Sequence, residues 1–159
     1  DFTEVVVTAS DSLLLGDATD SGNTKRDTVQ GLLDLVSGLQ VKVGRITRDI
    51  TSATGVVAAT GVGFQPKGLI FFAAVSDKAM ASFGYCDADL TQKLIYDYDG
   101  VVDEAWSGNA SNVLLLRENS AKYQLGAVSA LGADGFSISW VKAGTTSAGS
   151  IQVNYMAFA

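Results

Sequence analysis

Three pairs of acidic residues are the side chains whose types and spacing come closest to catalytic chemistry. The pairs are Asp87 with Asp89, Asp97 with Asp99, and Asp103 with Glu104. A glycosidase needs two carboxylates held at a defined separation across a cleft. Because Ala88 and Gly100 give the first two pairs the composition of turns, we interpret these acids as turn residues. A hydrolase of surface polysaccharide remains an alternative, and its activity would depend on Asp97 or Asp99.

The sequence lacks the residues that most often carry catalysis. It has no histidine, the commonest general base and zinc ligand. It contains no G-x-S-x-G, P-loop or dinucleotide-binding pattern. Cys86 is the single cysteine, so we expect neither a disulfide framework nor a cysteine metal site, and we predict an inert, half-buried thiol. We therefore predict a protein that is not an enzyme and that has no catalytic residue, metal site or cofactor.

One acidic run is similar to the start of a calcium-binding loop. It reads Asp97-Tyr98-Asp99-Gly100. Carboxylate oxygens at alternate positions are the ligands that such loops use. Valines follow at positions 101 and 102, where that pattern has a ligand and a glycine. The sequence therefore favours a plain β-turn, and a calcium ion at residues 97–99 remains the alternative.

The same segment contains the residue types of a sugar-binding site. Such sites combine an aromatic ring, which packs on the apolar side of the sugar, with polar side chains for the hydroxyl groups. Tyr98 stands between Asp97 and Asp99, and Trp106 lies three residues before Asn109. We predict these five residues as the ligand-binding set, on loops at the edge of a β-sandwich. The alternative is that Trp106 is a core or interface residue.

Length and composition indicate one all-β domain with an arm. The 159 residues are 47% hydrophobic and only 18% charged, with 17 glycines and one proline. The low charge indicates that other chains cover much of the surface. A net charge of −6 without a basic cluster argues against binding to nucleic acid or to an anionic membrane surface. No apolar run is long enough to span a bilayer, so we expect no membrane insertion.

The stretch around the only proline is predicted to organise the fold. Pro66 cannot donate a ladder hydrogen bond, so it belongs at the start of a strand. The apolar run that follows, through Val75, predicts a central strand that is buried on both faces. Trp140 ends a run in which apolar residues alternate with serine, and we predict it in the core. About eight or nine short strands separated by turn signals predict an antiparallel β-sandwich of the lectin or jelly-roll type over residues 39–159.

Residues 1–38 are predicted to form an N-terminal arm with one short helix. Residues 1 to about 16 alternate as an extended segment does, and a polar, turn-rich run follows. Residues 27–36 predict the helix, with Asp27 or Thr28 as its N-cap. Its apolar stripe consists of Val29, Leu32, Leu33 and Val36. Because so short a helix is unstable alone, we predict that the stripe makes oligomer or attachment contacts, for example among three copies around an axis.

Residues 14–33 resemble the N-terminal segment common in bacteriophage tail fibres and other virion appendages. The shared features are the acidic pair Asp17 and Asp20, then Thr24-Lys25-Arg26, Thr28-Val29 and Leu32-Leu33. In that group the segment precedes a trimeric shaft or head. The resemblance therefore implies that residues 1–38 attach the chain to other virion proteins.

Residues 39–159 resemble a class of phage structural proteins and, more distantly, the H-type lectins. The matching runs include Gly63-Phe64-Gln65-Pro66-Lys67-Gly68, Gly135-Phe136-Ser137-Ile138-Ser139-Trp140 and Val153-Asn154-Tyr155-Met156-Ala157-Phe158-Ala159. The lectin resemblance implies a six-stranded antiparallel sandwich that forms trimers and binds sugars near the subunit interfaces. Some members contact sugar through a histidine, which this chain lacks, so no individual binding residue carries over.

Together these features predict a homotrimeric component of a phage virion surface. The protein is expected to assemble in the bacterial cytoplasm and to be exposed on the particle as a fibre, spike or receptor-binding head. Its loops at residues 97–109 would contact a host-surface polysaccharide. The alternative is a capsid decoration protein that stabilises the head without binding a ligand.

Overall fold

The computed structural model describes residues 12–16, 24–29, 38–98, 107–109 and 111–159, together with Ser10. The chain divides into two compact units, Asp1–Leu39 and Gln40–Ala159. We describe each unit by itself.

The first unit contains an antiparallel strand pair. Strand β1 (Ser12–Gly16) pairs with β2 (Thr24–Thr28) over the full length of both strands. The first two residues of the predicted helix, Asp27 and Thr28, which were also its predicted caps, lie in β2 instead. Val29 follows the strand and is half-buried. The remaining stripe residues, Leu32, Leu33 and Val36, lie outside the described residues.

The second unit is an antiparallel β-sandwich, as predicted. Its ten described strands are β3 (Val41–Asp49), β4 (Gly55–Thr60), β5 (Gly68–Val75), β6 (Met80–Asp87), β7 (Gln92–Tyr98), β8 (Ser107–Asn109), β9 (Leu114–Asn119), β10 (Lys122–Gly132), β11 (Gly135–Ala143) and β12 (Ser150–Phe158). One sheet has four strands in the order β4-β11-β10-β9, and the other has six in the order β3-β12-β5-β6-β7-β8. The described part of this unit therefore has more strands than the lectin resemblance implies.

The core lies between the two sheets and follows from the period-two alternation of the strands. From Phe136 to Trp140 in β11 and from Ile151 to Ala157 in β12, every second side chain is buried, and Trp140 is fully buried, as predicted. Phe136 of the four-stranded sheet packs edge-to-face against two rings of the six-stranded sheet. Its ring centroid lies 5.6 Å from that of Phe71 and 4.9 Å from that of Tyr155. These ring contacts join the layers at the centre of the sandwich.

Strand β5 is an inner strand, as predicted, but it is buried on only one face. Leu69 and Phe71 point into the core, whereas the side chain of Phe72 is 52% exposed. The prediction of burial on both faces is wrong because β5 belongs to a two-layer sandwich, in which the opposite sheet covers only one side. Pro66 is buried just before the strand, where its missing N–H costs nothing.

The strand buried on both faces is β9 instead. Its residues Leu114, Leu115 and Leu116 are consecutive and all buried. Leu114 and Leu116 belong to the main core, while Leu115 packs with Leu94 and Tyr96 of β7 in a second small cluster. The six-stranded sheet therefore covers the side of β9 that faces away from the main core, and a continuous apolar run results.

The turn between β10 and β11 fixes the loop that leads into β5. The carboxylate of Asp134 accepts hydrogen bonds from the backbone N–H of Gly61 at 3.1 Å and of Gly63 at 2.6 Å. Both glycines have positive φ, 76° and 92°, a conformation that side chains disfavour. Glycine at these two positions therefore lets the loop wrap around one carboxylate.

Candidate functional site

One broad surface of the described residues is the side of the six-stranded sheet that points away from the core. We call this side the outer face and define it by the outward side chains of β3, β12, β5, β6 and β7. Its large, exposed apolar side chains are Val41, Val43, Phe72, Tyr85 and Ile95, which are 41–66% exposed. A contiguous apolar surface of this kind marks a binding surface more often than scattered single residues do.

The strand register brings the apolar residues of the outer face into continuous rows. Asn154 of β12 lies opposite Phe72, which lies opposite Phe83, which lies opposite Ile95. The rings of Phe72 and Phe83 pack at a centroid separation of 4.8 Å. In the neighbouring row, Ile70 and Tyr85 continue the apolar character. Side chains from three strands therefore form one surface.

A depression of about 420 Å³ lies on this face. Ala74 and Ala81, which are opposite each other in β5 and β6, form part of its lining. Phe72, Phe83 and Ile95 also line it. Two small side chains beside three large ones give the outer face a hollow next to projecting rings.

Charged residues of the outer face lie towards its two edges. Arg45 is on β3, where its Nε donates a hydrogen bond to Oδ1 of Asn154 at 3.1 Å. Asp97 and Lys93 are on β7, separated from β3 by three strands. The outer face therefore has an apolar centre between polar margins, which is the usual arrangement of a protein–protein interface.

The predicted sugar-binding residues are described only in part. Asp97 is half-buried near the end of β7, and Tyr98 is the last residue of that strand. Asn109 lies in β8 opposite Leu94, about 10 Å along the ladder from Asp97. Asp99 and Trp106 lie outside the described residues.

The structure corrects the local setting of Asn109 in one respect. Ser107–Asn109 was predicted as part of a polar loop, but it forms a short strand at the edge of the six-stranded sheet. The local sequence could not reveal this, because a serine, a glycine and an asparagine have low strand propensity and the pairing with β7 supplies the hydrogen bonds.

The first acidic pair has the turn geometry that was predicted. Oδ1 of Asp87 accepts hydrogen bonds from the backbone N–H of Asp89 at 3.0 Å and of Thr91 at 2.8 Å. This carboxylate therefore organises the turn between β6 and β7. Over the described ranges, no three His, Cys, Asp or Glu side chains come together in a group that could hold a metal ion.

Cys86 is more buried than predicted. Its side chain is 2% exposed, and its Sγ lies 3.3 Å from the carbonyl oxygen of Asp87. Burial raises the pKa of the thiol to about 11, and the charge of Asp87 adds to the effect. Because the thiolate is the reactive form, the thiol is unreactive at neutral pH.

A polar cluster joins the end of β9 to two connections between strands and was not predicted. The hydroxyl of Ser147 donates to Oε1 of Glu118, and the ammonium of Lys78 donates to the Ser147 hydroxyl. Lys78 also forms an ion pair with Glu118 at 3.2 Å. No local motif signals the cluster, because its members come from distant parts of the chain.

A serine beside a lysine is also the arrangement of a Ser–Lys nucleophile. Here the serine proton is directed at Glu118, and the ion pair requires a protonated Lys78, which cannot act as a base. We therefore interpret the cluster as structural: it holds the two connections against the end of β9.

The cluster predicts a loss of stability in acid. Hydrogen bonds from the Ser147 hydroxyl and backbone N–H, with a smaller contribution from Lys78, lower the pKa of Glu118 to about 2. Since this value lies below that of an unfolded glutamate, the stabilisation is complete above about pH 5 and is lost as the pH falls towards 2. Partial exposure limits it to about 1 kcal/mol. The free energies of unfolding of the wild type and of Glu118→Gln, measured by urea unfolding, should therefore differ at pH 7 and converge near pH 2. A difference that does not change with pH would contradict a stabilising role for the ionised Glu118 carboxylate.

Within the described ranges, no helix has the length and apolar character needed to cross a membrane. Comparison of the chain with protein-family models, curated proteins and solved structures found no match.

Proposed function

We propose that this chain is a structural, non-catalytic component of a bacteriophage particle surface. In this proposal it is homotrimeric and attaches to other virion proteins through residues 1–38. The observation that carries the proposal is the outer face, a broad apolar surface with polar margins on the β-sandwich. Such a surface suits assembly, whereas enzymatic turnover requires converging catalytic groups. The phage setting comes from the resemblance of residues 14–33 and 39–159 to virion proteins.

The leading form of the proposal is a fibre, spike or receptor-binding head. Asp97, Tyr98, Asp99, Trp106 and Asn109 would then contact a host-surface polysaccharide, with the aromatic rings packing on the sugars. On a glycan array the purified chain should bind a host polysaccharide, and Trp106→Ala should abolish this binding. The control variant Val141→Ala, in the four-stranded sheet, should bind as the wild type does. Absence of binding to any host polysaccharide would contradict this form.

A second candidate, capsid decoration, is favoured by the chemistry of the outer face. A sugar site needs converging polar groups, whereas the residues lining the depression on this face are mostly apolar, with Ser76, Ser82, Gln152 and Asn154 as its polar lining residues. Antibody labelling of intact particles separates the two candidates. Label on the tail supports the receptor-binding form, label on the head supports decoration, and absence of label from the particle contradicts both.

A further inference from the structure

We propose that residues 1–9 of one copy of this chain pair, as an added strand, with the free edge of β3 in a neighbouring copy. This inference rests on the homo-oligomeric part of the proposed function and names the segment and the strand that make the contact. It does not depend on where the protein sits on the particle, on whether it binds sugar or on what covers the outer face. Residues 1–9 lie outside the described residues, and their part in the contact follows from their sequence.

Strand β3 forms one edge of the six-stranded sheet. In the described part of the chain it pairs with β12 alone, over all nine of its residues. The strand at the opposite edge of this sheet, β8, has only three residues. A long strand with one unpaired edge is a template on which a segment of another chain can form a further strand.

Hydrogen bonds at the two ends of the β3–β12 ladder show which backbone groups of β3 point to its free edge. The N–H of Ala159 donates to the carbonyl oxygen of Gln40 at 3.1 Å, and the N–H of Ile50 donates to that of Gly149 at 3.0 Å. Both pairs continue the register of the ladder. Since hydrogen-bonded residues alternate along an antiparallel strand, the even-numbered residues bond to β12 and the odd-numbered ones face the other way. The residues with N–H and C=O groups at the free edge are Val41, Val43, Arg45 and Thr47.

The sequence of residues 1–9 is that of a strand. It reads Asp-Phe-Thr-Glu-Val-Val-Val-Thr-Ala and contains neither glycine nor proline. Valine, threonine and phenylalanine are among the residues that strands favour. The segment has nine residues, and so has β3. The segment therefore matches the free edge in length as well as in strand propensity.

The charges of the two elements are complementary. Residues 1–39 contain seven acidic and two basic residues, a net charge of −5 out of −6 for the whole chain, and no basic residue precedes Lys25. Strand β3 has three basic residues and one acidic residue, a net charge of +2. The other described edge strands, β4, β8 and β9, have a net charge of zero. An acidic segment is therefore attracted to β3 more than to the other edges.

An antiparallel register that sets Glu4 opposite Arg45 satisfies both sequences. Phe2–Thr8 then spans the free-edge residues, and Val6 lies opposite Val43 on the same side of the sheet. Arg45 is exposed and can form a charge-assisted hydrogen bond with the Glu4 carboxylate. A parallel strand with Glu4 at the same place would form slightly weaker pairs and would separate the two valines.

A contact of this kind can close around a three-fold axis. The donated segment and the accepting edge are different surfaces, so the contact is heterologous, and heterologous contacts form a ring when the rotation closes. Each copy then donates one strand and receives one. The strand pairing is therefore compatible with the homotrimer of the proposed function.

Proline substitutions in the full-length chain test the pairing, because their effect depends on the direction of the N–H that is lost. In the proposed register the N–H of Val6 points to β3 and that of Val7 points away from it. Val6→Pro should therefore weaken association at least about ten-fold, whereas Val7→Pro should leave it within about three-fold of the wild type. The measurement is the molar mass from light scattering during size-exclusion chromatography over a range of concentrations.

The accepting edge provides a second pair of variants. Val43→Pro removes an N–H that does not bond to β12, so the sandwich should fold while the added strand is blocked. Val43→Thr keeps the N–H and a branched side chain and should associate as the wild type does. Far-UV circular dichroism and thermal unfolding check that each variant folds. If Val43→Pro unfolds, Val41→Pro at the start of the strand takes its place.

A charge reversal tests the register independently. Arg45→Glu and Glu4→Arg should each weaken association, and the double variant should restore it at least in part if the two residues lie opposite each other. A double variant that associates no better than the single variants would overturn this register.

Two outcomes would overturn the pairing itself. An oligomer that persists in Val6→Pro and Val43→Pro would show that the copies associate elsewhere, which leaves the oligomeric part of the proposed function standing. A wild type that is monomeric at every concentration would remove both the inference and the proposed trimer. A wild-type dimer that the same two variants dissociate would support the exchange of strands and contradict the trimer alone.

Discussion

Replacing Gly84 with alanine should lower the free energy of unfolding by about 3 kcal/mol. Gly84 lies in β6, where β9 crosses the six-stranded sheet closely. A Cβ atom at this position would overlap the carbonyl oxygen of Val113 and crowd two further backbone atoms of the same residue. Because the obstacle is backbone rather than a flexible side chain, the strands themselves must move.

The close approach at Gly84 also holds a hydrogen bond between the sheets. Ser82, two residues earlier in β6, accepts the backbone N–H of Leu115 at its Oγ, at 3.1 Å. Separating the strands to admit a methyl group would lengthen this buried hydrogen bond. The loss of unfolding free energy in Gly84→Ala should therefore be larger than a steric clash alone would cause.

Gly68→Ala is the matched control for this prediction. Gly68 is also a strand glycine, but the nearest atom to its Cβ would be a ring carbon of Phe158 at 3.9 Å, which is ordinary contact. Measured by urea unfolding, the free energy of unfolding should fall strongly for Gly84→Ala and change by no more than about 0.5 kcal/mol for Gly68→Ala. Equal losses would mean that the close crossing of β9 over β6 does not limit stability.

The strands with strict alternation were predictable from sequence, because their pattern contains both the strand period and the face that is buried. In β11, serine alternates with Phe136, Ile138 and Trp140, and the predicted core face is the observed one. The bounds of β7 were also predictable, because turn residues flank the strand on both sides.

The outer face was not predictable, because its residues have the same character as those of the core. Leu69, Ile70, Phe71 and Phe72 are all apolar, so β5 reads equally as a strand covered on one side or on both. Whether one side of β5 or both sides are covered depends on the number of layers in the whole fold, which the local sequence does not contain. Of the predicted sugar-binding residues, Asp97 was chosen for its type, and sequence alone could not place it at the margin of an apolar sheet.

Replacing Gln92 with methionine should lower the free energy of unfolding by about 2–4 kcal/mol. The Gln92 side chain is nearly fully buried at the start of β7 and reaches the other sheet. Its Oε1 accepts the backbone N–H of Val128 at 2.8 Å, and its Nε2 donates to the Val128 carbonyl at 2.7 Å. The ladder between β9 and β10 runs only from Lys122 to Gly126, so Gln92 satisfies the Val128 groups that lie beyond it. Methionine has similar length but leaves one buried donor and one buried acceptor unpaired.

Two further variants separate this hydrogen-bond pair from a packing effect. Gln152→Met, on the exposed side of β12, makes the same chemical change and should alter stability by less than about 0.5 kcal/mol. Gln92→Glu keeps the acceptor but, when ionised, turns the donor into a charge facing the Val128 carbonyl. The pKa of the introduced carboxyl group should therefore be raised in the folded state. As the pH falls, this group is protonated and becomes a donor again, so Gln92→Glu gains stability relative to Gln92→Met. Unfolding curves at several pH values measure this gain, and a constant difference between the two variants would show that the Gln92 amide does not bridge the sheets through Val128.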